Sequence, residues 1–237
     1  MKIVFKHINE DINFNLIYKK RKTLSIQVKL NGEIDVLSPF GVEKKFILDK
    51  VKSNASWIIR KQNEINSIQN KKVKRSIVSG QAFMYLGRNY SLEVVYNNDI
   101  SSIDVKLFRG KLIVNTYTSD EVIIKKALEL WYRKKALIKI KEKIDYYQSY
   151  FEHEVGNIKV KEQKKRWASC TFKNDILFNW RCIMAPSDVI NYIVVHEMCH
   201  MKHKNHSKDY WKSVYSILPD YELRHKWLKE NGIKLDL

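Results

Sequence analysis

His196-Glu197-Met198-Cys199-His200, followed by His206, gathers groups able to handle a metal ion and a water molecule within eleven residues. On a helix, residues four apart project from one face about one turn apart. Two neutral imidazoles at that spacing suit Zn²⁺. Glu197, one residue after the first histidine, can reach a water on the metal without itself being a ligand. The ion polarises the water and a scissile carbonyl, and the carboxylate takes the proton. A His-Glu-x-x-His string should arise by chance in roughly one per cent of chains of this length. Requiring a histidine six residues further on makes chance far rarer.

Catalytic zinc takes three protein ligands and leaves a position open for water. His206 is the best third ligand. His203 is a rival, but an unbroken helix would spread His196, His200 and His203 over about 10 Å of axial rise, too far for one ion. His206 works if the helix stops near His203 and the chain turns back, and Lys204-Asn205 is a plausible turn because Asn tolerates left-handed geometry. The spacing equals that of the metzincin motif, with His203 where those proteins carry a turning glycine. Glu222 is a downstream carboxylate alternative. The expected site is therefore one Zn²⁺ per chain on His196, His200 and His206, with Glu197 as general base.

Several elements must position this site. Val189, Ile190, Ile193, Val194 and Val195 lead into the motif with little charge, which predicts a buried helix, and Pro186 suits its first position. Helices are expected over Ser207–Leu218 and Tyr221–Lys229. Ile158–Val160 and Ile176–Trp180 read as strands. The second is either a cleft-bordering strand that pairs with extended substrate or a buried sheet strand, with Asn179 between two aromatics the best hint of an edge. A long helix runs from near Asp120 to about His153, with an apolar stripe of Ile123, Ile124, Ala127, Leu130, Trp131, Leu137, Ile138 and Ile144. Residues 1–40 alternate as strands, with a hairpin turn at Asn31-Gly32. Val42 to about Ile68 is helical, and four strands follow between Ala82 and Asn115. No internal repeat is legible. The expected architecture is α+β, with a basic β-rich region at 1–117 and the catalytic domain at 118–237.

Apolar residues make up 44% of the chain, while Gly (7) and Pro (3) are scarce, so a packed core is expected and a long disordered linker is not. No apolar run reaches membrane-spanning length, and the N-terminus turns polar too early for a signal peptide. Three cysteines without a C-x-x-C pair point to reduced thiols and a cytoplasmic location. The net charge of +18 favours weak contact with nucleic acid, through the runs Lys19–Lys22, Lys71–Arg75 and Lys159–Arg166.

Arg166-Trp167-Ala168-Ser169-Cys170, Asn179-Trp180-Arg181 with Ala185-Pro186, and Val194 through Trp211 resemble the YgjP-like metallopeptidase family (DUF45, of the YgjP/WLM/SprT-type zincins). Ala168 stands where the family has Gly, and Phe178 where an aliphatic residue is usual. The resemblance implies a zincin-like fold, zinc on His196, His200 and His206, Glu197 as catalytic glutamate, and a peptide or protein substrate. Kinship with SprT-like and WLM proteases implies action on DNA-associated proteins. A non-peptidase zinc amidohydrolase would use the same water activation. A nucleic-acid-associated module with a structural zinc site would instead close the fourth position. Tyr210, Tyr221, Arg224 and His203 are candidate oxyanion stabilisers, and Asp220 could orient a ligand imidazole or cap the last helix.

Overall fold

The computed structural model describes residues 2–7, 10–29, 31–69, 75–163 and 166–237. They form two compact units, Met1–Lys72 and Val73–Leu237.

In the first unit, alternation in Ile12, Phe14 and Leu16 puts three buried side chains on one face of strand β2 (Glu10–Tyr18). It pairs antiparallel with β1 (Lys2–His7) and parallel with β4 (Ile34–Ser38), which pairs antiparallel with β3 (Ser25–Val28). Ile34 and Val36 of β4 complete the buried face, and helices α1 (Lys44–Ser53) and α2 (Ala55–Gln69) cover it with Ile47, Val51, Ala55 and Ile58. The sequence suggested one helical stretch here; the structure breaks it at Asn54. Ser53 Oγ and Asn54 Nδ2 both donate to the Lys50 carbonyl, at 3.0 and 2.8 Å. Such local bonds compete with the helical ladder.

The second unit opens with β5 (Ala82–Tyr85), β6 (Arg88–Tyr96), β7 (Asp104–Phe108) and β8 (Lys111–Thr116), in sheet order β5-β6-β8-β7. β5–β6 and β7–β8 are antiparallel hairpins, and β6–β8 is parallel. This is the topology of the first sheet, again followed by helix. The equivalence extends to glycines of positive φ, Gly32 and Gly110, ahead of the fourth strand. It extends to a buried hydroxyl at that strand's end as well, on Ser38 or Thr116. The repeat was not legible in sequence because pairing pattern, not residue identity, carries it.

Helix α3 (Glu121–Tyr147) is capped by Asp120, whose carboxylate accepts from the amides of Val122 and Ile123. Its buried stripe is Ile124, Leu128, Trp131, Tyr132, Ala136, Ile140, Ile144 and Tyr147. Ile123, Leu130 and Ile138, expected inside, are exposed. The helix is apolar on more than one side, and contacts with the second sheet and with the segment Trp180–Met184 select the face.

Phe83, Leu92, Leu112 and Val114 of the second sheet share one core with α3 and with α4 (Ser187–Lys202). The division therefore falls at 72/73 and not at the expected 117/118, because this sheet has its core partners downstream. Gly87 makes the join close: a Cβ there would lie 2.8 Å from Pro186 Cα. The amides of Leu86 and Gly87 donate to the carbonyls of Ile183 and Met184. The start of α4 is thus tied to the β5–β6 turn.

A three-stranded sheet, order β10-β11-β9, completes the unit with β9 (Ile158–Lys161), β10 (Ala168–Cys170) and β11 (Ile176–Asn179). β11 is central and buried, and β10 is the edge beside α4. Asn179, read as a hint of an edge, is buried; its Nδ2 donates to Gln163 O, and its Oδ1 accepts from the Arg181 amide. Helices α5 (Lys208–Ile217) and α6 (Tyr221–Asn231) follow. Ala168 is not among the residues of positive φ, so its methyl strains nothing. Among the described residues, no helix is long and apolar enough to cross a membrane.

Candidate metal centre

Helix α4 is buried along almost its whole length, including Val189, Ile190, Ile193, Val194, Val195 and Met198. His196 and His200 stand one turn apart near its C-terminal end. The helix ends because His203 adopts extended backbone, φ −112° and ψ 102°. The reversal does not use a left-handed Asn205; neither Lys204 nor Asn205 has positive φ. Ser207 then caps α5, accepting from the Tyr210 amide at 3.3 Å, and this fixes the chain one residue beyond His206.

The reversal returns His206 to the helix. Its Nε2 lies 3.2 Å from Nε2 of His200 and 3.2 Å from Nε2 of His196. The ligand atoms of all three histidines fall within 4.8 Å of one another. A tetrahedron with Zn–N bonds near 2.0–2.1 Å has an edge of about 3.3 Å. Nδ1 of His200 lies 2.8 Å from the carbonyl oxygen of His203, which can only accept. The proton is therefore on Nδ1, and the Nε2 lone pair faces the cluster. A proton among the three facing nitrogens satisfies one contact at a time; one cation at their centre satisfies all three. The donor set fits a zinc-sized cation.

Surrounding aromatics hold the ligands. The Tyr210 ring stacks on His200 with centroids 4.6 Å apart at 27°. The Trp211 ring lies along His206 at 5.6 Å and 24°, and Tyr221 stacks on Trp211 in turn. Tyr192 Oη is 3.3 Å from Nδ1 of His196. Tyr192 escaped the sequence reading, although it sits one helical turn before His196, where such a contact forms; Trp211 entered it only as the end of the Val194–Trp211 motif. Burial, followed by the neighbouring histidines, pushes the His196 pKa down to about 3, and burial likewise lowers that of His200. Both are neutral and ready to ligate at pH 7.

Glu197 is 6% exposed, and burial raises its carboxyl to about 7. A hydrogen bond from the Cys170 backbone amide, then the charge of Arg166, pull the other way. The carboxyl shares with the three histidines a cleft of 410 Å³ whose other walls include Arg166, Ala168, Ser169, Cys170 and Lys204. A carboxylate poised near neutrality beside a cation site is suited to accept a proton.

The other candidates lie elsewhere. Glu222 is exposed on α6 and accepts from Tyr221 Oη. His203 Nε2 contacts Ser213 Oγ at 3.1 Å. Tyr210 is fully buried with its hydroxyl on the His196 carbonyl, so it faces no oxyanion. Arg224 and Asp220 pair with each other at 2.9 Å, and the Asp220 side chain caps nothing. Arg181 is held by Asp236 and Glu162. Cys199 is buried outside the cluster, and all three cysteines are free thiols. In the expected basic runs, Lys71, Lys72, Lys74, Lys164 and Lys165 lie outside the described residues. Arg75 is committed internally, donating to the carbonyls of Ala82, Lys234 and Asp236.

The family model for the YgjP-like metallopeptidase domain matches residues 22–231. Among solved structures, the metallopeptidase zymogen abylysin of Pyrococcus abyssi is 18% identical, covering 37% of this chain and 89% of its own, with a TM-score of 0.34. The jannalysin zymogen of Methanocaldococcus jannaschii is 25% identical, covering 37% and 93%, with a TM-score of 0.33. No curated protein sequence matches.

Proposed function

The chain belongs to the YgjP-like metallopeptidase family, and from that premise we propose that it is a zinc-dependent peptidase whose metal is held by His196, His200 and His206 and whose general base is Glu197. The single observation that carries the ligand set is the convergence of the three Nε2 atoms, two of the separations being 3.2 Å. When bound, zinc supplies the Lewis acidity that activates water and the peptide carbonyl. Three protein ligands leave a coordination position open, which separates this reading from a closed structural site. No acidic side chain other than Glu197 lines the cleft among the described residues.

The chain's own groups then have defined tasks. The Glu197 carboxylate takes a proton from water and passes it to the leaving amine. The Cys170 amide holds that carboxylate in place. The His203 carbonyl keeps the His200 proton on Nδ1. The edge of β10 orients an extended substrate. Asn179 N donates to Trp167 O and Thr171 N to Asp175 O, so odd-numbered residues face β11. The N–H and C=O of Ala168 and the C=O of Cys170 therefore face the free edge, where a peptide can pair as an added strand, the Cys170 N–H being taken by Glu197.

The net charge of +18 supports a further element of the proposal, weak sequence-independent contact with nucleic acid that brings the enzyme to DNA-associated proteins. Reduced cysteines and a cytoplasmic location accord with the composition.

The test is metal content and peptide hydrolysis measured together. The purified protein should hold about one zinc, and chelation should abolish cleavage of a peptide library that zinc then restores. Cleavage that survives complete zinc removal contradicts the proposal.

A further inference from the structure

The free edge of β10 is bracketed by two cations. Arg166 precedes the strand by two residues, and both its exposed side chain and that of Lys204 line the cleft with Glu197. Beyond the other end, the β10–β11 turn is fixed by Thr171 and Asp175: the Asp175 amide donates to Thr171 Oγ1, and the Asn174 amide to the Thr171 carbonyl. Asn174 takes φ +61°, and Phe172 at the tip is 89% exposed. Lys204 reaches this turn, with Nζ 3.4 Å from Asn174 Oδ1 and 5.8 Å from the Phe172 ring centroid. Its ammonium is thus placed at the cleft rim.

Neither cation forms an ion pair at contact distance with a carboxylate among the described residues, and Arg166 acts on the Glu197 carboxyl only through space. Of the other arginines of this unit, Arg133, Arg181 and Arg224 each pair with an acid, and Arg75 is satisfied by backbone carbonyls. Within the cleft the only described acid is Glu197, which is buried and committed to the Cys170 amide. The walls that a bound peptide meets are therefore positive on both sides of the reacting centre.

We infer that the cleft selects peptides with acidic side chains flanking the scissile bond, Arg166 receiving one at one end of β10 and Lys204 receiving one at the other. This rests on the peptidase reading above. An extended strand advances about 3.3 Å per residue, so cations separated by the length of β10 and its flanks address positions within about three residues of the cleaved bond. An acid at either position meets an unpaired cation, and a lysine there meets like charge, which is the repulsive half of the selectivity.

The experiment is a zinc-loaded cleavage assay on matched extended peptides differing only in Glu, Gln or Lys at the flanking positions. Two exposed rim ion pairs should together favour the Glu peptide over the Lys peptide by about tenfold in kcat/KM, about 1.4 kcal/mol. Higher salt should shrink the ratio. Lys204→Glu should invert the preference at its end of the peptide alone, and Arg166→Glu at the other. Lys204→Gln should reduce the preference without inverting it. Cleavage with no acidic preference, or with a preference that Lys204→Glu leaves unchanged, overturns the inference and leaves the peptidase reading standing. Inhibition by a DNA oligonucleotide that Lys204→Glu relieves, without acidic preference, assigns the cations to nucleic acid and overturns it too. No cleavage of any peptide by zinc-loaded protein removes the peptidase reading, and the inference with it.

Discussion

The Tyr210 hydroxyl donates to the backbone carbonyl of His196 across 3.1 Å, while the same ring stacks on His200. One buried side chain of α5 thus fixes the helix at the first ligand and the imidazole of the second. Tyr210→Phe keeps the stack and loses the hydrogen bond, at a cost of about 1 kcal/mol. Tyr210→Ala removes a fully buried ring and should cost about 3–5 kcal/mol. Denaturation, with zinc affinity measured on both variants, checks this; the alanine variant should bind zinc far more weakly than the phenylalanine variant. Equal zinc affinity in the two would mean that the ring does not position His200.

His206 is the ligand on the loop, outside helix α4. His206→Ala should lower zinc content sharply, and Glu222→Ala should leave it intact, since Glu222 lies on α6 against Tyr221. Metal analysis of the two proteins, prepared in parallel, decides the third ligand. Zinc kept by His206→Ala and lost by Glu222→Ala would reverse the assignment.

The pairing of His196 with His200 was legible because four-residue spacing on a helix is a local rule, and the two histidines obey it. His206 was legible once His203 had been ruled out by axial rise. What sequence did not reveal is the means of reversal. The chain turns through extended backbone at His203, and the helix that follows, which sequence did place, is capped locally by Ser207. Sequence left Ile176–Asn179 as either a cleft-bordering edge or a buried strand; it is the sheet's buried centre, and the edge is the short Ala168–Cys170. The α3 stripe was misphased because Ile123, Leu130 and Ile138 share the apolarity of the residues that pack.

The raised carboxyl of Glu197 sets a pH dependence. A base must be unprotonated, so kcat/KM should fall about tenfold per unit as pH drops below the Glu197 pKa, which is about 7 in the metal-free fold and which a bound cation lowers. Stability in the metal-free protein runs the other way. An acid with a folded pKa of about 7 against an ordinary 4.5 favours its protonated form in the fold, so no cost exists below pH 4.5 and the cost grows as pH rises to 7. Glu197→Gln should therefore stabilise the metal-free protein at pH 8, by at most about 3 kcal/mol, and not at pH 4. Denaturation at the two pH values measures it; equal effects at both would show that the carboxyl is not so shifted.

Gly87 ties the β5–β6 turn to the start of α4. It has φ +78°, and a Cβ there meets Pro186 Cα at 2.8 Å, so Gly87→Ala must displace backbone. A loss of about 1–3 kcal/mol is expected, read as a lower denaturation midpoint. An unchanged midpoint would mean that α4 is not anchored through this contact.

If the basic surface binds nucleic acid, affinity should fall steeply with salt, with a log–log slope of about −0.9 per duplex phosphate neutralised. Titration of duplex DNA at several salt concentrations measures it. Charge reversal at Lys71, Lys72 and Lys74 should weaken binding if that run is part of the footprint, whereas Arg75 is held by internal carbonyls. No binding at micromolar protein in about 50 mM salt would remove this element and leave the zinc site untouched.

Replacement of Glu197 by glutamine bears most directly on the central claim. Glutamine keeps the shape of the side chain and cannot accept the proton from water. The account predicts a folded protein with about one zinc and no detectable turnover on a peptide that the unaltered enzyme cleaves. A Glu197→Gln protein that retains zinc and cleaves that peptide at the original rate would contradict it.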